Sequence, residues 1–203
     1  MPGLLPHLRG LNGSVAAPIY SEAMGKTANH LTPSPARDHA FPPVADARTR
    51  LLVLGSLPGR ASLAAQEYYA NPGNGFWRLM GAVTGVDLPA LSYAARLEAL
   101  LARGIGLWDV IAHAQRSGSL DSAIRDPAAR DLAAMADALP ALETIAFNGR
   151  TAERIGLRQL GEDAARWRVL TLLSSSGACA VRAAVKQADW MRLRACLAPP
   201  LSS

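Results

Sequence analysis

A short stretch of the chain combines side chains that can stack on a ring with side chains that can hydrogen-bond to it. Tyr68 and Tyr69 precede an Asn-Pro-Gly-Asn corner that ends at Asn74, and an aromatic pair, Phe76 and Trp77, follows. Tyrosines are more often core residues whose hydroxyls are hydrogen-bonded within the protein, and Asn74 is well placed to cap a helix. The combination, more than any single residue, indicates a binding site.

A loop of glycine and proline stands just before these aromatics. The all-apolar run 51–54 is typical of a strand covered on both faces in a parallel sheet, although its length alone does not exclude a buried helix. Gly55 and Gly59 can adopt backbone angles closed to other residues, and Pro58 supplies no amide donor. Ligands of open α/β sheets bind at the carboxyl ends of the strands, so this loop is predicted to wall a site. An ordinary tight turn is the alternative.

Strands and helices alternate over the rest of the chain. The predicted strands are 51–55, 105–111, 143–147 and 167–173, and the predicted helices are 74–84, 93–102, 127–138, 150–159 and 180–197. This order predicts an α/β fold, a three-layer αβα sandwich around a mainly parallel four-stranded sheet. Residues 1–40, rich in Pro, Gly, Ser and Ala, are predicted to be a disordered or loosely packed extension, and residues 41–203 one domain.

Composition narrows the class of protein. The 203 residues are 50% hydrophobic, enough for one sizeable core, and no apolar run is long enough to span a membrane. We expect no secretory signal and a cytoplasmic protein. Cys179 and Cys196 are too few for a disulfide framework and lack the spacing of a metal site, so no metal is expected. The net charge of +5 suits a polyanionic partner, although it is weak support by itself.

The phrase LGSLPGRASLAAQEYYANPGNGFW resembles the signature of the uracil-DNA glycosylase superfamily, specifically its hypoxanthine-DNA (deoxyinosine) glycosylase branch. That pattern is roughly LGS-(M/F)-PG…S…YY-(A/G)-(H/N)-P-x-N-x-FW. Further matches follow in family order, FPPVADARTR before the first strand, GIGLWDVIAHAQRSGSLDSAIRD, then TIAFNGRTAERI. The resemblance covers about residues 41–197.

The resemblance implies an activity. A protein of this branch is a monofunctional DNA glycosylase that hydrolyses the N-glycosidic bond of hypoxanthine or uracil in DNA, as a monomer and without a cofactor. A damaged base must be flipped out of the duplex into a pocket, stacked on an aromatic ring and read along its hydrogen-bonding edge. A degenerate relative that binds nucleic acid without turnover is the alternative. An unrelated nucleotide-binding protein is less well supported, since the chain has no G-x-x-x-x-G-K-[ST] motif.

The same resemblance assigns the reacting residues. Many superfamily members carry an Asp or Asn that positions water in the turn after the first strand, where this chain has Leu57. In the hypoxanthine branch the catalytic asparagine lies in P-x-N-x-FW, which is Asn74 here. It would orient a water toward C1′ in a dissociative hydrolysis, because a carboxamide is not a strong general base. The alternative for Asn74 is a helix cap alone.

The remaining predicted contacts surround the base. Gly55, Ser56, Leu57 and Pro58 form its walls, Tyr69 or its neighbour stacks on it, and Phe76, Asp109 and Asn148 complete the set. A carboxylate at Asp109 accepts a hydrogen bond from the ring N–H of hypoxanthine or uracil. Pairing of Asp109 with an Arg or a backbone amide is the alternative, and Asn148 is better suited to shape the turn at Gly149.

A serine loop follows the fourth predicted strand. Relatives have L-P-S-T-S-P-A-N-A, whereas residues 172–180 read LLSSSGACA. Ser174, Ser175 and Ser176 are retained and, with amides of the next helix, are predicted to hold DNA phosphates. Loss of both prolines predicts a less rigid loop and a larger ordering cost. No lysine occupies these elements, which argues against a Schiff-base lyase step.

Overall fold

Residues 38–116 and 124–197 are described by a computed structural model of the protein. The strands and helices are, in chain order, β1 Asp38–His39, β2 Leu51–Gly55, α1 Arg60–Ala65, α2 Phe76–Thr84, α3 Tyr93–Leu101, β3 Ile105–Asp109, β4 Ile111–Arg116, β5 Ile124–Ala129, α4 Leu132–Asp137, β6 Thr144–Asn148, α5 Arg150–Leu160, β7 Arg168–Leu172 and α6 Ala183–Trp190. Short 3-10 helices lie at Leu88–Ala90, Gly161–Arg166 and Met191–Cys196. None of the helices in this part of the chain is long and apolar enough to cross a membrane.

A four-stranded sheet in the order β3-β2-β6-β7 forms the centre, and every pair in it is parallel. Side chains of β2 alternate between its two faces. Leu51 and Val53 pack in one cluster with the buried residues of α2, α3 and α6, while Leu52 and Leu54 pack in the other with those of α4 and α5. Helices therefore cover both faces, which confirms the predicted three-layer αβα fold.

The sequence analysis missed a second, smaller sheet. Strands β1, β4 and β5 form a three-stranded antiparallel sheet in the order β1-β4-β5. The predicted strand 105–111 therefore divides at Val110 between two sheets. The prediction of helix over 127–138 was wrong for its first residues, because β5 extends to residue 129 and α4 begins only after Asp131, whose side chain accepts a hydrogen bond from Ala134 N at 2.9 Å.

Two other boundaries differ from the prediction. The predicted helix 180–197 is α6 followed by a 3-10 helix. The predicted N-terminal extension falls outside the described residues as far as residue 37, but residues 38–40 pair with β4, where Ala40 N donates to Ala112 O at 2.8 Å. The folded part of the chain therefore includes residues that we assigned to the extension.

The carboxyl ends of three strands meet at one edge of the central sheet. Gly55 ends β2, Asp109 ends β3 as its register partner, and Asn148 ends β6. Beyond this edge Val110 N donates to Gly55 O at 2.9 Å, and Ile111 N donates to Ser56 O at 3.1 Å. These bonds fix the start of the Gly55–Gly59 loop against the chain that leaves β3.

Candidate functional site

A cavity of about 280 Å³ opens at this edge of the sheet. Its volume is near the lower end of the range for small-ligand sites. The residues predicted for the site all line it except Phe76: Gly55, Ser56, Leu57, Pro58, Tyr69, Asn74, Asp109, Asn148, Ser174, Ser175 and Ser176. Five segments of the chain thus converge on one pocket: the β2 loop, the tyrosine corner, the end of β3, the end of β6 and the serine loop.

The carboxylate of Asp109 lies over Gly55. A Cβ added to Gly55 would be 2.5 Å from Asp109 Oδ1, so only glycine leaves room for the carboxylate. Asp109 is 3% exposed, and its charge acts on two neighbours. Burial, and then repulsion from Asp109, raises the pKa of the Tyr68 phenol. Burial lowers the pKa of the Arg130 guanidinium, which attraction to Tyr68 and Asp109 partly offsets. The base of the pocket therefore holds a buried carboxyl group that interacts with the Tyr68 phenol and the Arg130 guanidinium.

The two tyrosines have different surroundings. Tyr68 is buried, and its hydroxyl donates to Pro42 O at 3.2 Å. Tyr69 is half-buried and has a left-handed backbone with φ of 56°, a conformation uncommon for aromatic residues. Asn148 Nδ2 donates to its hydroxyl at 3.3 Å. Tyr69 is thus held in an unfavourable backbone conformation at the pocket wall, a pattern that is common at functional sites.

Phe76 does not reach the pocket surface. It is fully buried, and its ring stacks on that of Tyr69 with centroids 3.7 Å apart and an interplanar angle of 11°. Phe76 does not line the cavity in this arrangement, because Tyr69 covers its ring, and its contact with a substrate stays a prediction. Phe76 supports Tyr69 instead, and an edge-on contact with Trp190 at 5.7 Å fixes it from the other side.

The side chain of Asn74 is bonded to the start of α2 and also lines the pocket, and its catalytic role stays a prediction. Its Oδ1 accepts a hydrogen bond from Phe76 N at 3.0 Å, at the start of α2, and the residue lines the pocket. An N–H donor must face the oxygen of a carboxamide, so this bond sets which end of the amide points at the helix. Nδ2 is the polar atom that remains for a ligand.

Asn148 fastens the serine loop to the end of β6. Ser175 N donates to Asn148 Oδ1 at 2.8 Å, and Asn148 Nδ2 donates to Ser175 Oγ at 2.8 Å. Both ends of the amide are occupied within the protein. Asn148 lines the cavity, but its hydrogen bonds serve the position of Ser175 and Tyr69.

The serine loop is also bonded to two other parts of the structure, the start of α2 and helix α6. Gly75 N donates to Ser175 O at 2.8 Å, and Lys186 Nζ donates to Ser176 O at 2.8 Å. Asp189 Oδ2 accepts from Leu173 N at 2.7 Å, where the loop begins. These hydrogen bonds hold the main chain of the loop where the two prolines are missing, and the larger ordering cost stays a prediction.

Three residues near the pocket were missed by the sequence analysis. Ser62, 4% exposed, accepts from Ala70 N at 3.1 Å and so positions the tyrosine corner. It is the isolated serine between PG and YY in the motif, a signal that was available. Cys179 lines the cavity from the serine loop. Lys186 had no sequence signal, since its burial depends on how α6 packs.

This chain is similar to known proteins over most of its length. Among curated proteins, the hypoxanthine DNA glycosylase of Methanosarcina barkeri is 42% identical over 144 residues, 70% of this chain and 88% of the relative. The hypoxanthine DNA glycosylase of Methanosarcina acetivorans is 40% identical over 152 residues, 74% of this chain and 93% of the relative.

A solved structure and a family model extend the match. The solution NMR structure of a Methanosarcina acetivorans protein provisionally named uracil DNA glycosylase superposes with a TM-score of 0.70 at 37% identity, covering 78% of this chain and 97% of that one. The model of the family described as Uracil DNA glycosylase superfamily matches residues 42–195, which include every strand of the central sheet and every element of the pocket. With that span and these relatives, the chain belongs to the uracil DNA glycosylase superfamily.

Proposed function

We propose that this protein is a monofunctional DNA glycosylase that hydrolyses the N-glycosidic bond of a deaminated base, hypoxanthine or uracil, in DNA. One observation carries the proposal, the convergence of Asn74, Tyr69 and Asp109 with the Gly55–Gly59 loop on one pocket. Relatives about 40% identical over most of their length are named hypoxanthine DNA glycosylase, which supports the same reaction.

Asp109 selects deaminated bases in this proposal. An ionised carboxylate only accepts hydrogen bonds, and the ring N–H of hypoxanthine or uracil donates one. Adenine has a lone pair at the corresponding nitrogen, so it would leave the buried carboxylate facing another acceptor. A site that pairs with a donor rejects a base lacking it by a large factor, because the buried group is then unsatisfied.

Asn74 acts on the attacking water. The C1′–N bond breaks first, the base leaves with the electron pair, and the water oxygen adds to C1′ and releases its proton to solvent. Since Asn74 Oδ1 is bonded to Phe76 N, Nδ2 donates to one lone pair of the water and leaves the other free to attack. The amide positions the nucleophile and does not deprotonate it.

The other residues bind the DNA around that step. Tyr69, supported by Phe76, stacks on the flipped base. Ser175 is buried and bonded to Asn148, so phosphate contacts fall to Ser174 and Ser176. The Ser174 hydroxyl accepts a hydrogen bond from Ser176 N at 3.3 Å, and the Ser176 hydroxyl accepts one from Ala178 N at 3.2 Å. Each hydroxyl keeps its own proton to donate to a phosphate oxygen.

The reaction consumes only water and needs no metal or redox cofactor. No lysine is among the described residues that line the pocket, and Lys186 donates to Ser176 O behind the loop, which supports hydrolysis without a Schiff base. The net charge of +5 favours a polyanionic partner. We also propose that the enzyme acts as a monomer in the cytoplasm.

The activity is tested with oligonucleotides that carry one deoxyinosine or deoxyuridine, in single and double strands, followed by alkaline cleavage of abasic sites. We expect strand scission after incubation with the wild-type protein. No scission on any substrate would contradict the proposal and favour the alternative, a relative that binds nucleic acid without turnover.

Two variants of Asn74 separate catalysis from capping. Asn74→Ala removes both functions, whereas Asn74→Asp keeps an oxygen for Phe76 N and replaces the donor Nδ2 by an acceptor. We expect Asn74→Asp to keep the wild-type melting temperature and to lose about 10²-fold in rate, the usual effect of removing one catalytic donor.

Ser92→Ala is the matched control, because Ser92 Oγ caps α3 by accepting from Ala95 N at 3.3 Å, and Ser92 does not line the pocket. Its loss is expected to lower stability by about 0.5–2 kcal/mol and to leave the rate unchanged. An Asn74→Ala variant as active as the wild type would reduce Asn74 to a helix cap.

A further inference from the structure

A second cavity, of about 180 Å³, lies between the serine loop, the start of α2 and α6. The two cavities share Ser175 and Cys179 as walls. Arg78 and Lys186 both line the second cavity, and none of the described residues around it is an Asp or Glu. It is therefore a small space with two positive charges and no counter-charge in its lining.

The cations differ in how they are held. Lys186 is only 7% exposed, and its Nζ uses one of three donors on Ser176 O. Arg78 is exposed on the first turn of α2, and one of its nitrogens lies 3.6 Å from the position that a Cβ on Gly75 would take. Within the described part of the chain Arg78 has no hydrogen-bond or ion-pair partner.

Stability of the fold does not account for this arrangement. A buried ammonium loses hydration, and a single carbonyl partner compensates only part of that loss. A cation in the first turn of a helix opposes the helix dipole. An anion bound between Arg78 and Lys186 would offset both effects.

We propose that this cavity binds a phosphodiester group of the DNA strand, next to the nucleotide whose base enters the first pocket. The inference rests on the proposed function. Because Ser175 and Cys179 line both cavities, the two are adjacent, and a strand that delivers a base to one can pass along the serine loop to the other. Arg78 supplies a planar fork that pairs with phosphate oxygens, and Lys186 adds a buried point charge while it holds Ser176.

The test pairs a change in the protein with a change in the DNA. The probe is a labelled single-stranded 11-mer with one central 2′-fluoro-2′-deoxyinosine, whose glycosidic bond resists hydrolysis. Matching probes carry a neutral methylphosphonate at one of the three phosphates on either side of that nucleotide. Dissociation constants are measured by fluorescence anisotropy over a series of salt concentrations.

We expect Arg78→Gln to weaken binding about tenfold, as for loss of a hydrogen bond to a charged group. The slope of log affinity against log salt should become shallower by about 0.7, the value for one phosphate contact on a single strand. At one phosphate position the methylphosphonate should weaken binding to the wild type and have little effect on Arg78→Gln. Arg78→Lys should recover part of the affinity.

Arg158→Gln is the control, since Arg158 is exposed in the last turn of α5 and, like Arg78, has no hydrogen-bond or ion-pair partner among the described residues. It should keep the wild-type affinity and salt slope. Equal methylphosphonate penalties in wild type and Arg78→Gln at all six positions would overturn the proposal. Excision of deoxyinosine by the wild type is measured separately, so a failed phosphate site and a failed glycosylase give different results.

Discussion

Replacement of Asn148 by alanine is expected to release the serine loop from the sheet. The substitution removes three hydrogen bonds: Ser175 N to Oδ1 at 2.8 Å, Nδ2 to Ser175 Oγ at 2.8 Å, and the longer one to the Tyr69 hydroxyl at 3.3 Å. Because Ser175 is only 2% exposed, its N–H would stay buried without a partner unless the loop moves.

The size of the effect follows from these bonds. A typical hydrogen bond contributes about 0.5–1.5 kcal/mol net, and an unsatisfied buried donor costs about 1–3 kcal/mol. The lost bond to Ser175 Oγ and the unsatisfied Ser175 N–H together give a loss of about 1.5–4.5 kcal/mol in unfolding free energy. For a chain of this size that corresponds to a fall of roughly 3–18 °C in Tm.

A double-mutant cycle with Ser175→Ala isolates the side-chain part. Ser175→Ala removes the Oγ contact but keeps the bond from Ser175 N to Asn148 Oδ1. Urea unfolding of the wild type, both single variants and the double variant should give a coupling energy of about 0.5–1.5 kcal/mol. In the excision assay KM for DNA should rise in Asn148→Ala more than kcat falls, since Asn74 and Asp109 are unchanged.

The result that would refute this reasoning is an Asn148→Ala protein with the wild-type Tm and a greatly reduced kcat. That outcome would mean that Asn148 acts on the substrate and that the loop holds its position by other bonds. Additive effects in the cycle would equally exclude the direct pairing of the two side chains.

Three further variants are expected to have distinct effects. In Gly55→Ala the new Cβ would lie 2.5 Å from Asp109 Oδ1, so kcat/KM for deoxyinosine should fall at least about tenfold, and an unchanged value would contradict the role of that carboxylate. In Gly177→Ala the Cβ would lie 2.6 Å from Gly73 O, a backbone atom that cannot rotate away, so Tm should fall and KM should rise as the serine loop separates from the Asn-Pro-Gly-Asn corner. The pKa of Tyr68 is raised above its ordinary 10.0, so the folded state retains the phenolic proton more strongly than the unfolded state. Stability is therefore complete at neutral pH and declines above about pH 10, and Tyr68→Phe should make that decline shallower in urea unfolding at several alkaline pH values.

The central fold was predictable because its signals are local. Leu51 to Leu54 are apolar without a break, and each predicted strand of the central sheet is followed by a helical segment, so the parallel sheet follows from period and order alone. The antiparallel sheet was not predictable in that way. β5 includes Pro127 and lies at the edge of its sheet, where a proline is tolerated, but the same residues in isolation have no strand pattern.

Most of the residues that line the pocket were also predictable from the sequence, but the contacts between their side chains were not. Strand ends identified Gly55, Asp109 and Asn148, since carboxyl ends of parallel strands meet at one edge. The stacking of Tyr69 on Phe76 depends on a left-handed backbone at a non-glycine residue, which no sequence pattern specifies. The anchoring of Ser176 by Lys186 depends on the packing of α6, a tertiary effect.

Asn74 illustrates why a structural and a catalytic reading of one residue need not compete. The two readings exclude each other only if a helix cap or a catalytic amide uses the whole side chain. The bond from Phe76 N occupies Oδ1 and thereby fixes the rotation of the amide, which leaves Nδ2 for the pocket. A carboxamide without such a partner can turn over and offer either its donor or its acceptor to a ligand. The bond from Phe76 N is thus the reason that Asn74 offers a donor to the pocket, whereas a carboxylate at this position would keep that bond and offer only acceptors.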